Sequence, residues 1–226
     1  MKIRAVVATR ERLDNFFTNT ATGRSLARAT NRQVEIRVFA ENRDGLPKIY
    51  NQAIRESIDD PAILVFVHDD VYFLDYFFFD RIEEGLKQFD VIGVAGNKRR
   101  LPKQPSWAFI DTTLTWDDPA NLSGIVGHGK NFPPDVLSVY GPSRQSVKIL
   151  DGVLLACTSS KLLGKKIFFD ERFDFHLYDL DFCREAEKKG LSCGTWDLSL
   201  LHESGGNFGG ADWALGVHRY LAKWNE

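Results

Sequence analysis

His68, Asp69 and Asp70 stand at the end of an uninterrupted apolar segment, residues 62–67. Such a run of β-branched and aromatic residues is typical of a strand that is buried on both faces. In open α/β sheets, ligands bind just beyond the ends of strands of this kind. Clusters of oxygen ligands suit Mg²⁺ or Mn²⁺, which neutralise the phosphates of a nucleotide. The pattern fits a metal site and, equally well, an acidic turn after a strand.

Two further groups of polar residues could take part in the same chemistry. Asp179 and Asp181 precede a helical pattern, where a carboxylate is favoured by the helix dipole, and we interpret Asp181 as a capping residue. His202 follows a second apolar run, so it is placed like Asp70 at the end of a strand. Together with Asp70 it is a candidate metal ligand.

Residues 124–131 match a phosphate-binding loop except that Asn131 replaces the final Ser or Thr. We reject this interpretation, because such a loop needs a buried strand before it and a helix after it, and neither pattern is present. A glycine-rich hairpin or a mobile loop is predicted instead. His128 and Lys130 could still reach a ligand from it.

The elements that must position these residues follow from the hydrophobic periodicity. Strand patterns cover residues 3–8, 34–39, 62–67 and 91–95. Helical patterns alternate with them over residues 11–30, 46–58 and 75–89, the last with Asp75 as its N-cap. This alternation predicts a single α/β domain with a mostly parallel sheet and helices on both faces.

The second half of the chain is less regular. Residues 97–148 lose their periodicity and are predicted to be an irregular insertion, after which strands at 149–157 and 198–201 and helices at 180–189 and 211–224 are expected. A cluster of aromatic residues is predicted to pack in the core rather than to form a platform for a membrane or a sugar. Its members are Tyr72, Phe73, Tyr76, Phe77, Phe78 and Phe79.

Composition excludes some classes of partner. The formal net charge is −2, from 29 basic and 31 acidic residues, which gives no electrostatic footprint for a nucleic acid. The three cysteines form no CxxC pair, as in proteins of reducing compartments. With no secretion signal or membrane-spanning run in the sequence, we expect a cytoplasmic protein, and peripheral membrane contact stays open.

Several motifs occur in the chain in a fixed order. They are Thr9-Arg10, Glu41-Asn42, Gly45-Leu46 with Asn51, His68-Asp69-Asp70, Asp151-Gly152, Tyr178-Asp179-Leu180-Asp181 and His202. In this order they resemble the GT-A-fold glycosyltransferases, in particular the bacterial family-two-like enzymes, over nearly the whole chain apart from residues 97–148. The resemblance implies a GT-A-type, Rossmann-like fold with a nucleotide-binding half (1–96), an insertion (97–148) and an acceptor-side half (149–226).

The resemblance also implies an activity and roles for individual residues. The expected reaction transfers a sugar from a nucleotide-sugar donor, preferably a UDP-sugar, to a glycan or glycolipid acceptor, with inversion and with Mn²⁺ or Mg²⁺ as cofactor. Asp179 corresponds to the general base, in a motif where Tyr178 replaces a Glu. The implied metal ligands are Asp70, His202 and His68, which takes the first position of the family's Asp-x-Asp motif. The implied donor-site residues are Thr9, Arg10, Glu41, Asn42, Asn51, Asp69 and Asp151.

Two alternatives remain open from the sequence. A catalytically inactive GT-A-like module that binds carbohydrate is one, because His68 departs from the family's metal motif. A nucleotidyltransferase is the other, although it would carry a basic glycine-rich loop after the first strand. Residues 9–12 in that place contain basic residues and no glycine.

Overall fold

Two β-sheets organise the chain, and the computed structural model describes residues 1–28 and 33–226 of it. The larger sheet has seven strands, in the spatial order β2 (Glu35–Phe39), β1 (Ile3–Ala8), β3 (Ile63–Val67), β11 (Leu154–Thr158), β5 (Val91–Gly93), β12 (Cys193–Thr195) and β9 (Ser146–Val147). The smaller sheet has the order β10 (Ile149–Leu150), β6 (Ala95–Asn97), β7 (Leu122–His128), β13 (Leu200–His202) and β4 (Val71–Phe73), and β8 (Val136–Gly141) pairs with β7.

Seven α-helices are described around these sheets. They are α1 (Leu13–Asn19), α2 (Ala21–Leu26), α3 (Leu46–Glu56), α4 (Phe78–Leu86), α5 (Ser159–Lys165), α6 (Tyr178–Lys188) and α7 (Ala211–Trp224). The helix predicted over residues 11–30 is divided at Thr20, whose hydroxyl accepts the Gly23 N–H and caps α2. The end of that prediction lies outside the described residues.

The predicted α/β class is confirmed, but the larger sheet is mixed rather than mostly parallel. β1 runs parallel to β2 and β3, whereas β11 runs antiparallel to both β3 and β5. β11 enters the larger sheet from β10 of the smaller sheet, after only residues 151–153.

Two of the predicted strands, at 91–95 and 149–157, each divide into two short ones. Each pair contributes one strand to the larger sheet and one to the smaller sheet. Where the chain passes between the sheets, β6 pairs with β10 and β5 pairs with β11. This crossing places Asp151 at the junction of the two sheets.

Residues 97–148 are more regular than predicted. β7 and β8 form an antiparallel pair, which confirms the glycine-rich hairpin and shows that the prediction of an irregular insertion was wrong for this part. Gly129, in the turn between the two strands, has φ +116°, a conformation that glycine adopts easily. The pair was not predicted because four glycines within residues 122–141 interrupt the alternation of apolar and polar residues.

The segment before α4 also differs from its prediction. The helix begins at Phe78, and Asp75 accepts the Phe77 N–H in the preceding turn, so Asp75 as N-cap was wrong. Phe73, Phe78 and Phe79 are buried as predicted, but Tyr76 and Phe77 are 61% and 55% exposed. The core prediction therefore holds for only part of the aromatic cluster.

The C-terminal helix α7 has the predicted bounds and is fixed to α6 by a buried carboxylate. Asp181 accepts hydrogen bonds from Lys223 Nζ at 2.8 Å and Trp224 Nε1 at 2.9 Å. It does not cap α6, since Leu177 is at the N-cap position. The capping role expected for Asp181 is thus replaced by a link between two helices.

Two expectations from composition can be compared with the structure. Cys157, Cys183 and Cys193 are all buried as free thiols. Within residues 1–28 and 33–226, no helix has the length and apolar character needed to cross a membrane.

Candidate functional site

A cavity of about 560 Å³ lies where the two sheets meet. It collects polar residues from strand ends and turns that are far apart in the sequence. The predicted site residues that line it are His68, Asp69, Asp70, Asp151, Asp179 and His202. Strand ends converge here because the chain changes sheets at this junction, which is the location at which α/β folds usually bind ligands.

His68, Asp70 and His202 form a cluster whose ligand atoms all lie within 4.8 Å of one another. His202 Nε2 is 3.4 Å from Asp70 Oδ1, and that buried oxygen has no hydrogen-bond partner among the described residues. Burial opposes the ionisation of Asp70, but the close approach of His202 at 3.4 Å and the charge of His68 outweigh it and lower the pKa of Asp70 to about 2. An ionised, buried and unpartnered carboxylate oxygen beside two imidazoles fits a divalent cation.

The tautomer of His68 is set by Tyr178. The Tyr178 hydroxyl donates to the Gly152 carbonyl at 2.8 Å, and His68 Nε2 lies 3.0 Å from the same hydroxyl oxygen. Because the hydroxyl proton is used by Gly152, His68 Nε2 must be the donor to Tyr178, which leaves Nδ1 with its lone pair. A metal-binding histidine commonly donates its other ring N–H in this way.

Gly152 is required where Tyr178 and the turn approach each other. A Cβ at this position would lie 2.4 Å from the Tyr178 hydroxyl oxygen. His68 and Tyr178 are also the two positions at which the chain departs from the motifs described above. Their hydrogen bond shows that the two departures form one structural unit.

Thr22 of α2 holds the turn that carries the acidic residues. Its hydroxyl lies 2.6 Å from the His68 carbonyl oxygen and accepts the Val71 N–H at 3.1 Å, and its own N–H donates to the Asp69 carbonyl. Sequence reasoning missed this residue. A threonine in a polar helical segment gives no signal of a contact 46 residues away.

Asp179 is in the first turn of α6, beside Asp151. Its Oδ2 accepts the Gly152 N–H at 2.9 Å and its Oδ1 accepts the Leu180 N–H at 3.0 Å. Burial and the negative charge of Asp151 raise the pKa of Asp179 to about 7, although these backbone hydrogen bonds oppose the shift. A carboxylate with a pKa near neutrality is suited to exchange a proton with a substrate.

The residues predicted for the donor site divide into two groups. Asp69 and Asp151 line the cavity, while Thr9, Arg10, Glu41 and Asn42 lie on the loops after β1 and β2, outside its lining. These two loops are joined, since the Asn42 N–H donates to the Thr9 carbonyl at 2.8 Å. Burial raises the pKa of Asp69, and a hydrogen bond from Thr9 opposes the shift, so the loop after β1 contacts the cavity through Asp69.

Asn51 is placed differently from its predicted role. It is buried in α3, where its amide nitrogen donates to the Phe169 carbonyl and its amide oxygen accepts the Phe169 N–H, both at 2.8 Å. Both ends of the amide are therefore occupied by the backbone, and Asn51 does not line the cavity. The structure gives it a structural role in place of the expected donor contact.

Comparison with known proteins identifies the family. A family model described as "Glycosyltransferase like family" matches residues 14–197, which is most of the chain. The chain belongs to this glycosyltransferase-like family. No curated protein matches the sequence significantly.

Solved structures of glycosyltransferases share the fold at low sequence identity. S. aureus TarS 1–349 in complex with UDP-GlcNAc is 13% identical with a TM-score of 0.50, and the alignment covers 99% of this chain and 66% of that one. A second structure of S. aureus TarS gives 14% identity and a TM-score of 0.49, and the alignment covers 99% of this chain and 39% of that one. A197 from STIV gives 11% identity and a TM-score of 0.49, with 88% of this chain and 82% of that one covered. The chain thus spans 39% of that longer TarS chain. The family match and the fold shared with TarS 1–349 confirm the resemblance to GT-A-fold glycosyltransferases.

The cavity also has a wall of aromatic rings that sequence reasoning did not assign to the site. This aromatic wall consists of Trp107, Phe109, Trp116, Tyr140, Phe208 and Trp213. Four of its members belong to residues 97–148, where no element was predicted that could place them. Their residue type was visible in the sequence, but their convergence depends on the β7–β8 hairpin and the segment before it.

His128 is a further polar residue in the lining, whereas Lys130 is not part of it. The register of β7 and β13 puts His128 directly beside His202. The buried Nδ1 of His128 has no hydrogen-bond partner in the part of the chain that the structure describes. The expectation that His128 could reach a ligand is consistent with this position and stays a prediction.

Proposed function

We propose that this protein is a metal-dependent, inverting glycosyltransferase of bacterial glycan or glycoconjugate biosynthesis, acting in the cytoplasm. It would transfer a sugar from a nucleotide-sugar donor, with UDP-sugars favoured, to an acceptor hydroxyl. One observation carries the proposal: the His68, Asp70 and His202 cluster and the near-neutral carboxylate of Asp179 share one cavity in a member of a glycosyltransferase-like family. TarS 1–349 has been solved with UDP-GlcNAc, and we extend that donor class to this chain.

The proposed chemistry assigns separate tasks to the two groups of residues. A divalent cation, Mn²⁺ or Mg²⁺, bound by Asp70, His202 and His68 would offset the negative charge that grows on the departing diphosphate. Asp179 accepts the proton of the acceptor hydroxyl as that oxygen attacks the anomeric carbon, which inverts the configuration. The Gly152 N–H holds the Asp179 carboxylate in place for this step. General-base assistance of this kind contributes roughly 10²–10⁴-fold to the rate.

The first experiment is a thermal-shift panel of UDP-, GDP-, dTDP- and CMP-sugars, each with and without Mn²⁺, followed by assays for release of the nucleoside diphosphate. Stabilisation by UDP-sugars that requires Mn²⁺, with UDP release, supports the proposal. Binding without any release of UDP would favour the inactive carbohydrate-binding module. The absence of a shift with every nucleotide would contradict the donor assignment.

The pH dependence of transfer should report the environment of Asp179. Because the base must be ionised and its pKa is about 7, kcat/KM is expected to rise with pH through about pH 7 rather than near pH 4, where an ordinary Asp titrates. Asp151→Asn removes the negative charge that contributes to the raised pKa, so the acidic limb should move to lower pH. The measurement is UDP release against pH for both proteins. Superimposable acidic limbs would show that Asp151 and Asp179 are not coupled in this way.

Tyr178→Phe is expected to weaken metal binding without removing a ligand. The substitution deletes the hydroxyl that fixes the Nε2–H tautomer of His68, and loss of such a partner typically costs about 10–100-fold in metal affinity. Titration calorimetry with Mn²⁺ in the absence of donor measures the effect directly. Tyr220→Phe is the matched control, because its buried hydroxyl bonds to Arg184 and is not part of the cavity lining. Equal Mn²⁺ affinity in the two variants would exclude the role given to Tyr178.

A further inference from the structure

We propose that Trp116 and Tyr140 form the subsite that binds a sugar ring of the acceptor, so that the acceptor of this enzyme is a carbohydrate. This inference rests on the proposed transferase function, because it identifies the substrate that brings its hydroxyl to Asp179. It is carried by the arrangement of the aromatic wall, which neither the core nor the metal cluster explains.

The two rings are stacked on each other, with their planes 22° apart and their centroids at 5.9 Å. Trp107 packs edge-on against Tyr140 at 4.8 Å, and Phe109 packs edge-on against Trp116 at 4.9 Å. Because Trp107 and Phe109 are buried, these contacts anchor the two rings to the packed part of the protein.

Trp116 is 53% exposed although it lines the cavity and belongs to an otherwise packed cluster. Large aromatic side chains normally bury most of their surface, because exposing them to water is unfavourable. Its neighbours Trp107 and Phe109 are buried. Within the aromatic wall, exposure is highest at Trp116, and Phe208 is 38% exposed.

The backbone holds this exposed ring rigidly. The Ile110 N–H donates to the Thr115 carbonyl and the Asp117 N–H donates to the Ala108 carbonyl, both at 2.9 Å, which forms a short hairpin. Asp117, next to Trp116, is buried and accepts hydrogen bonds from Asn97 Nδ2 at 2.8 Å and from Arg99. A surface ordered before binding loses little conformational entropy when a ligand arrives.

The chemistry of this part of the cavity favours a sugar. An aromatic face carries partial negative charge, which attracts the weakly positive C–H groups on the apolar face of a pyranose ring. The lining also provides polar side chains for its hydroxyls, from Ser138, Asn207 and Asp151. A lipid tail would gain nothing from these groups. A nucleobase could also stack here, so the experiment includes a nucleotide arm.

The test measures binding of defined sugars in the absence of any donor. Saturation-transfer NMR titrations use N,N′-diacetylchitobiose, cellobiose, lactose and maltose as probes, with glycerol as a polyol without a ring. We expect at least one disaccharide to bind to the wild type and Trp116→Ala to weaken that binding by about tenfold, as for loss of a stacking partner. Phe77→Ala is the matched control: Phe77 is equally exposed, at 55%, but lies outside the cavity lining.

A second measurement does not depend on whether Trp116→Ala folds. Wild-type protein labelled with 5-fluorotryptophan should show a ¹⁹F shift of the Trp116 signal on addition of the same disaccharide, and Trp116→Phe assigns that signal. Trp196, buried and packed on Phe89, should not respond. If no disaccharide binds, or if Trp116→Ala binds as tightly as Phe77→Ala, the subsite assignment is wrong.

Titrating the same proteins with UDP in the presence of Mn²⁺ separates this inference from the proposed function. UDP affinity should be unchanged by Trp116→Ala. UDP binding without sugar binding would overturn only the subsite. Sugar binding that depends on Trp116, without UDP binding, would overturn only the proposed donor. Loss of UDP binding in Trp116→Ala would identify the ring as part of the nucleotide site and overturn the acceptor assignment.

Discussion

Asp179→Asn is expected to reduce sugar transfer by roughly 10²–10⁴-fold while leaving donor binding unchanged. The amide is nearly isosteric with the carboxylate, but it cannot accept the proton of the acceptor hydroxyl. Its oxygen can keep the hydrogen bond from the Gly152 N–H, so the turn at Asp151 and Gly152 should not move. Substitution also removes a buried negative charge from beside Asp151, which relieves repulsion in the folded state.

The measurement compares kcat for UDP release in the presence of acceptor with the Kd of UDP and Mn²⁺ on the same protein. Asp174→Asn provides the control, because Asp174 is an exposed carboxylate just before α6 that does not line the cavity. Near-normal turnover in Asp179→Asn would show that another group is the base. Equal losses of transfer and of UDP affinity would show that Asp179 binds the donor and does not act on the acceptor.

The part of the site that was predictable from sequence is the part built at the ends of buried strands. The apolar run before His68 and the one before His202 each predicted a strand, and each strand delivers its polar end to the cavity. Strand burial is a local property of the sequence, because both faces of the strand must be apolar. The resemblance of the ordered motifs then joined these separate strand ends into one expected site.

What the sequence did not reveal depends on contacts between distant segments. The antiparallel insertion of β11 depends on the passage between two sheets. The Asp151-Gly152 pair within residues 149–157 is a turn signal, but it does not specify which sheet each half of the run joins. The link from Tyr178 to His68 spans 110 residues, and the amide of Asn51 is used by a backbone 118 residues away. Such pairings carry no periodic signal, so they become visible only when the fold is known.

The aromatic wall was not predicted from the sequence for a different reason. Four of its residues are scattered in residues 97–148, a segment rich in Gly and Pro where hydrophobic periodicity predicted no element. The order in this segment comes from side chains instead, in particular from buried Asp117 and Asn97. Irregular backbone that is fixed by buried polar groups can build a binding surface as rigid as one on a strand.

Asp70→Ala is expected to abolish the metal-dependent stabilisation of the protein by UDP. Wild-type protein saturated at about 100 times the Kd should gain roughly 2.7 kcal/mol, and the variant should gain nothing when Mn²⁺ is added. The reason is that Asp70 supplies the only carboxylate of the His68 and His202 cluster found among the described residues, and its low pKa of about 2 keeps it ionised at neutral pH. Two neutral imidazoles without an anionic ligand bind Mn²⁺ or Mg²⁺ poorly, since these cations prefer oxygen.

The comparison must be made within each protein, because the substitution also changes the stability of the unliganded form. The pKa of Asp70 is lowered in the folded state, so its ionised carboxylate contributes stability above the ordinary Asp pKa, and that contribution is lost as the pH falls through about 2. Asp70→Ala therefore starts from a lower melting temperature at pH 7, and only the further shift on adding UDP and Mn²⁺ reports the site. Asp197→Ala, which removes a carboxylate paired with Arg144 outside the cavity lining, should keep the full ligand-induced shift. A metal-dependent shift of wild-type size in Asp70→Ala would mean that UDP and its cation bind elsewhere, and the cluster of His68, Asp70 and His202 would then need another explanation for its unpartnered carboxylate oxygen.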